Sequence, residues 1–245
     1  MAAQVLVAAF DGTSRVPGVS LGAERLWQAL SAELVAAPVE PVVVREESKS
    51  SALWCRKLKQ LASDRPIRLT LGGEHLVSFP LLEVLAQRHP GLRVVVLDAH
   101  HDAYDYPLLT HYSVFHYVRH ELELPTLILG ARHELERMPA GCELFSASAD
   151  EWLPQALRRV RDFVEGAPFY LSIDLDVLNP AEFGAVSDPR PGGLSLRELA
   201  ELTRELLALA PVGADIVEYN PLLDPDRQGM KALQPFLAEV GRWLA

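Results

Sequence analysis

Val94-Val95-Val96-Leu97-Asp98-Ala99-His100-His101-Asp102 is the stretch whose reading decides the fold. Four consecutive apolar residues, three of them β-branched, predict a strand covered on both faces, as in a parallel sheet. The apolar run stops at Asp98, and Asp98, His100 and Asp102 stand at alternate positions. On an extended backbone such residues point to one side. They would converge at the carboxyl end of the strand, where open parallel sheets bind ligands. Two carboxylates and an imidazole aimed at one point are costly unless a cation sits among them. The competing reading is a polar strand end running into a solvated loop.

The rest of the chain supports a sheet of this kind. Apolar runs at Val5–Phe10, Val39–Val44, Arg68–Leu71, Thr126–Leu129, Phe169–Ile173 and Gly213–Val217 predict strands, and Glu143–Ser146 a short one. Helical spacing predicts helices from Leu21, over Ser50–Leu61, after His75, from His111 to Glu121 and after Asp150. Another follows Ser195, whose Glu198 partner makes a capping box, and a last one spans Gln228–Leu244. Strands and helices alternate with no composition break, internal repeat or low-complexity segment. This is the pattern of a doubly wound, mainly parallel sheet in one domain over residues 1–245.

Composition narrows the function classes. With 245 residues and 49% apolar content, the chain can bury a large core without disulfides. Its net charge of -10 argues against nucleic acid or an anionic membrane as partner. Cys55 and Cys142 form no CxxC and fit a reducing compartment. There is no basic leader at Met1–Phe10 and no run of apolar residues long enough to span a bilayer. A cytoplasmic protein is expected, and a homo-oligomer.

Further strand ends carry chemistry-bearing residues. Gly72-Gly73-Glu74-His75 joins a strand to a helix; its glycines let the backbone pass close to a neighbour, and His75 is either a ligand or a packing residue. In Ser172-Ile173-Asp174-Leu175-Asp176 both carboxylates face one side, though an acidic strand end before Asn179-Pro180 is also an ordinary turn. Glu218-Tyr219-Asn220-Pro221 ends the last strand. His116 and His120, four apart with no acid after the first, read as an exposed helix face.

GGEH, DAHHD, a His about ten residues later, SIDLDVLNP and EYNP, in this order over residues 70–221, resemble the ureohydrolase superfamily of arginases, agmatinases, formimidoylglutamases and guanidino-acid hydrolases. The resemblance implies a three-layer α/β/α sandwich around a mainly parallel sheet of about eight strands. It also implies a dimanganese site. His75, Asp98, Asp102 and Asp174 would hold one Mn²⁺ and Asp98, His100, Asp174 and Asp176 the other, with Asp98 and Asp174 bridging. Oxygen-rich ligands with two imidazoles suit Mn²⁺ better than a thiolate-selecting metal. The implied reaction is attack of a hydroxide shared by the two ions on a guanidino or formimidoyl carbon, releasing urea or formamide and an amine. Asp102 would orient the nucleophile, His111 would shuttle a proton, and Glu218 would pair with the guanidinium.

Departures from the family pattern bear on the substrate. Ala103-Tyr104 follows DAHHD where arginases carry Ile-Asn, which looks more like agmatinases and guanidinobutyrases. Tyr112 replaces a Gly after His111, Asn179 replaces an Asp, and His133, Glu134 and Leu135 follow Arg132 in place of the acids of arginases. With Asp105 on the loop between the metal ligands and His111, a substrate tail ending in an amine is expected, agmatine before arginine. Arg132 and Arg190 are the counter-argument, because either could bind an acid such as formimidoylglutamate. A mononuclear zinc amide hydrolase of the deacetylase kind and a metal-binding protein without turnover are the alternatives.

Overall fold

The computed structural model describes residues 4–34, 39–45, 49–132, 138–145 and 152–245. Its framework is one sheet of eight strands: β1 Gln4–Ala9, β2 Val42–Arg45, β3 Ile67–Gly72, β4 Arg93–Leu97, β5 Thr126–Leu129, β6 Cys142–Phe145, β7 Phe169–Asp174 and β8 Gly213–Val217. They lie in the order β2-β1-β3-β8-β7-β4-β5-β6, and every pairing is parallel. The strand read from Val94-Val95-Val96-Leu97 is β4, near the middle of the sheet and fully buried there.

Alternation along each strand feeds two cores. Val95 and Leu97 face one layer with Leu171 and Ile173. That layer is built by α1 Val19–Ser31, α5 Trp152–Val164, α6 Leu196–Ala208 and α8 Gln234–Leu244. Val94 and Val96 face the other, built by α2 Ser51–Asp64, α3 Ser78–Arg88 and α4 Val114–Glu121. Parallel strands require such crossovers, and helices on both faces explain why β4 is apolar rather than alternating. The result is the three-layer α/β/α sandwich expected.

The expected elements differ from the observed ones mainly at their ends. One closing helix was expected over Gln228–Leu244; the chain instead forms α7 Gln228–Ala232 and then α8, with Leu233 between. Pro235 opens α8, and its ring and missing N–H prevent α7 from running on. The helices after His75 and His111 each begin with a 3₁₀ turn, His75–Val77 and His111–Ser113. Ser146 and the Asp150 cap lie outside the described residues. No helix among the described residues is long and apolar enough to cross a membrane.

Candidate metal centre and active site

Four adjacent central strands, β3, β8, β7 and β4, end side by side, and each delivers part of one site. Register keeps the ends level, with Leu71 beside Ile216, Val217 beside Asp174 and Ile173 beside Leu97. Beyond those ends stand His75 after β3, Glu218 after β8, Asp174 and Asp176 at β7, and Asp98, His100 and Asp102 after β4. Two backbone positions there are strained. Asp102 (φ 42°) and Glu218 (φ 67°) are non-glycine residues in the left-handed region, the kind of strain that clusters at functional sites.

The ligand-type side chains fall into two groups. His75, Asp98, Asp102 and Asp174 form the first; Asp98, His100 and Asp176 form the second. Of the two acids expected to bridge, Asp98 belongs to both. Asp174 belongs to the first only; its Oδ1 accepts the Asp176 N–H at 2.8 Å and caps the turn that follows. Asp176 Oδ1 accepts the Ala99 N–H at 2.9 Å, tying the β4 loop to the β7 loop.

The surroundings of His75 show that the first group fits a cation. His75 Nδ1 lies 3.2 Å from Asp98 Oδ2, Asp102 Oδ2 and Asp174 Oδ2, yet both Nδ1 and Asp98 Oδ2 are buried without a hydrogen-bond partner among the described residues. Behind the ring, Nε2 is 2.8 Å from Ser172 Oγ. Ser172 gives its own proton to Asp215 Oδ1 at 2.6 Å. The hydroxyl therefore accepts from His75 Nε2–H, which leaves a lone pair on Nδ1 facing three carboxylate oxygens. Only a cation, or a proton in its place, makes that arrangement stable. Asp215 is fully buried and is held by two further donors, Ser78 Oγ at 2.6 Å and Tyr170 OH at 2.9 Å.

Electrostatics point the same way. Burial opposes charge on both imidazoles, but the carboxylates outweigh it: His75 is raised well above the ordinary imidazole range and His100 to about 12. Burial and mutual repulsion push Asp174 well up and Asp176 to about 6. Left to itself, the cluster takes up protons where divalent ions would serve.

Above the ligands opens a cavity of about 180 Å³, lined among others by Asp102, His111, Tyr112, Glu218, Arg15 and Asp188. Glu218 hangs over the first group, its Oε1 accepting the His75 N–H at 2.9 Å, and burial pushes it up to about 8. His111 reaches the cavity from the 3₁₀ turn before α4. Burial lowers its pKa, but a hydrogen bond to Glu74, together with the charges of Glu218 and Asp102, raises it overall.

Asp105 is not brought to the site. Its side chain is 96% exposed, faces His116 at 3.7 Å and does not line the cavity. The loop after Asp102 carries it outward, a path that no periodicity sets. Arg132 is also committed elsewhere: its guanidinium donates to the carbonyls of Asp176, Val177 and Leu178 and clamps the turn beneath the ligands. Arg190 stands at the rim, 3.1 Å from Asp188 and 2.9 Å from His100 Nε2. His133 and Glu134 lie outside the described residues. Sequence reading missed Glu74, Thr13, Asp188 and Asp215; only Glu74 sits inside a quoted motif.

A family model described as the arginase family matches residues 1–240. An agmatinase of Bacillus anthracis is 29% identical, over 94% of this chain and 83% of its own. The mitochondrial arginase 1 of Arabidopsis thaliana is 32% identical over 68% of this chain and 52% of its own. Among solved structures, an arginase from Bacillus subtilis superposes with a TM-score of 0.86 at 22% identity, covering 100% of this chain and 98% of that one. Proclavaminate amidino hydrolase from Streptomyces clavuligerus gives 0.82 at 26% identity, over 99% and 90%.

Proposed function

The chain belongs to the arginase family, hydrolases of C–N bonds in linear amidines, and from that premise we propose that it is a two-metal ureohydrolase acting on a small guanidino substrate. The observation that carries this reading is the pair of ligand groups sharing Asp98 below a cavity lined by Glu218 and His111. His75, Asp98, Asp102 and Asp174 would hold one ion. Asp98, His100 and Asp176 would hold the other. Carboxylates and imidazoles without thiolate suit Mn²⁺. When bound, two such ions supply Lewis acidity and a hydrolytic nucleophile at neutral pH.

The chain's own residues do the remainder. Glu218, in the cavity wall over the first ligand group, pairs with the guanidinium and holds its carbon over the ligands; the substrate's charge favours the ionised carboxylate that burial otherwise disfavours. Asp102 lies in the cavity wall as well as in the first ligand group, so it can orient the attacking water and take its proton. Attack forms a C–O bond and breaks the C–N bond to the tail. The departing nitrogen takes a proton from His111 and leaves as an amine, with urea the other product. A formimidoyl substrate would give formamide by the same steps.

An amine-tailed guanidine of the agmatine kind is the substrate we favour. The agmatinases among the relatives support it, and so does the surplus of acids around the cavity, Asp188 at its rim included. Asp105 does not, since it lies outside. One observation favours an acid-tailed substrate instead: Arg15 lines the cavity and makes no ion pair among the described residues. Product release from agmatine, arginine, guanidinobutyrate and formimidoylglutamate by the Mn²⁺-loaded protein decides between them. The highest kcat/KM is expected for agmatine. A clear preference for a carboxylate-bearing compound transfers the tail to Arg15, and no cleavage of any of the four overturns the proposed activity.

A further inference from the structure

Glu74, just past the end of β3, belongs to neither ligand group and does not line the cavity, yet it is only 1% exposed. A buried carboxylate is retained only when it is paired or well hydrogen-bonded. Its Oε1 accepts two backbone N–H groups, from Thr13 and Ser14, each at 2.7 Å. Its Oε2 accepts the Thr13 hydroxyl in a short hydrogen bond. The same hydroxyl oxygen lies 2.9 Å from His111 Nδ1, and Glu74 Oε2 itself is 3.5 Å from that nitrogen.

Proton bookkeeping leaves one arrangement. The Glu74 carboxylate accepts from two backbone N–H groups and from the Thr13 hydroxyl, which gives its proton to Oε2. The hydroxyl oxygen is then free to accept, and Nδ1–H of His111 is the donor within reach. With Nδ1 protonated, the other nitrogen, Nε2, carries the lone pair in the neutral ring and the acidic proton in the charged one. Nε2 has no partner among the described residues, and His111 borders the cavity. Tyr112, which also lines the cavity, packs against the ring at 3.8 Å between centroids.

We propose that Thr13 and Glu74 are positioning residues that fix the tautomer and aim of His111, so that Nε2 serves the departing amine. The chain runs from carboxylate to hydroxyl to imidazole, with the hydroxyl interposed where hydrolases of other folds place the acid directly against the ring. It also couples two segments that are far apart in sequence, because the carboxylate that steers His111 also anchors the loop carrying Ser14 and Arg15 to the cavity rim. The inference rests on the proposed activity for its kinetic consequence, but the placement of the proton stands by itself.

Thr13→Val removes the hydroxyl at nearly constant volume and leaves every ligand in place. It should lower kcat by roughly tenfold, less than the 10²–10⁴ that the proton-transfer group itself contributes because the imidazole is still there, with KM and the number of bound ions unchanged. Thr13→Ser, which restores the hydroxyl, should recover most of the loss. Glu74→Gln, which keeps the shape and removes the charge, should cost more in kcat than Thr13→Val. In the Mg²⁺-loaded protein, nitrogen NMR of neutral His111 should show Nδ1 protonated in the wild type and a mixture of tautomers in Thr13→Val. A wild-type kcat in Thr13→Val, a loss that Thr13→Ser fails to recover, or a proton found on Nε2 of neutral His111 overturns the inference. If the wild type cleaves no guanidine, the proposed activity fails first, and the His111 resonances still decide the placement.

Discussion

His111 and Asp98 are the residues on which the chemistry turns, and they make opposite predictions. His111→Ala removes a group that belongs to neither ligand group, so ion content should stay intact while kcat falls by roughly 10²–10⁴; metal analysis beside steady-state kinetics checks both halves, and a wild-type rate would move the proton transfer elsewhere. Asp98 belongs to both ligand groups, so Asp98→Ala should abolish binding of both ions. Asp176→Ala should spare the first group and lose only the second, and calorimetric titration with Mn²⁺ separates the two outcomes. Asp98, His100, Asp102, Asp174 and Asp176 were legible because strand periodicity puts alternate residues on one side. Thr13, Asp188 and Asp215 were not: the first two lie on loops with no periodicity and the third is the single polar residue of its strand, and only the fold brings each near the others. Asp105 illustrates the opposite failure, a carboxylate close in sequence to the ligands that its loop turns into solvent.

Elements hold these residues by terminal chemistry that is partly visible in the sequence. The Ser195–Glu198 capping box forms as its spacing predicts, with Ser195 Oγ accepting the Glu198 N–H at 3.1 Å and the Glu198 carboxylate accepting the Ser195 N–H at 2.8 Å. Ser195→Ala should lower stability by about 1 kcal/mol, read as a shift of the urea midpoint at constant slope, with activity retained; an unchanged midpoint would mean that solvent caps the helix equally well. Gly73 is more demanding. A Cβ there would stand 2.1 Å from the Phe10 carbonyl oxygen, where the end of β3 crosses that of β1. Gly73→Ala should therefore force the backbone apart, destabilise the protein by about 1–3 kcal/mol and weaken binding at His75. Retained stability and ion affinity would show that the crossing is slack. The two glycines announced a close approach but not its partner, which lies more than sixty residues away. In the same way, the closing helix read as one piece from its apolar spacing, and the break at Leu233 came from Pro235, a local veto that periodicity outweighed in the reading.

At the scale of the whole molecule, the sheet order makes one site from four distant segments. The chain visits β3, β4, β7 and β8 in sequence, but the sheet sets β8 and β7 between β3 and β4, so all four loops empty into one crevice. The alternation of strands and helices revealed the class of this architecture, and the family resemblance its number of strands, whereas the order of the strands was not legible, since neighbours in a sheet leave no local trace. The same layers close over both cysteines. Cys55 and Cys142 are buried and free, and burial pushes each thiol up to about 12. Neither should react with an aromatic disulfide reagent in the folded protein, and both should react once it is unfolded; fast labelling of the native state would reveal an opening of the α2 or β6 face. Central to the account is that the crevice is built for two ions sharing Asp98, and the number of Mn²⁺ ions per chain, counted on the loaded and desalted protein, tests it most directly. Two ions per chain is the predicted result, and a single ion per chain would contradict it.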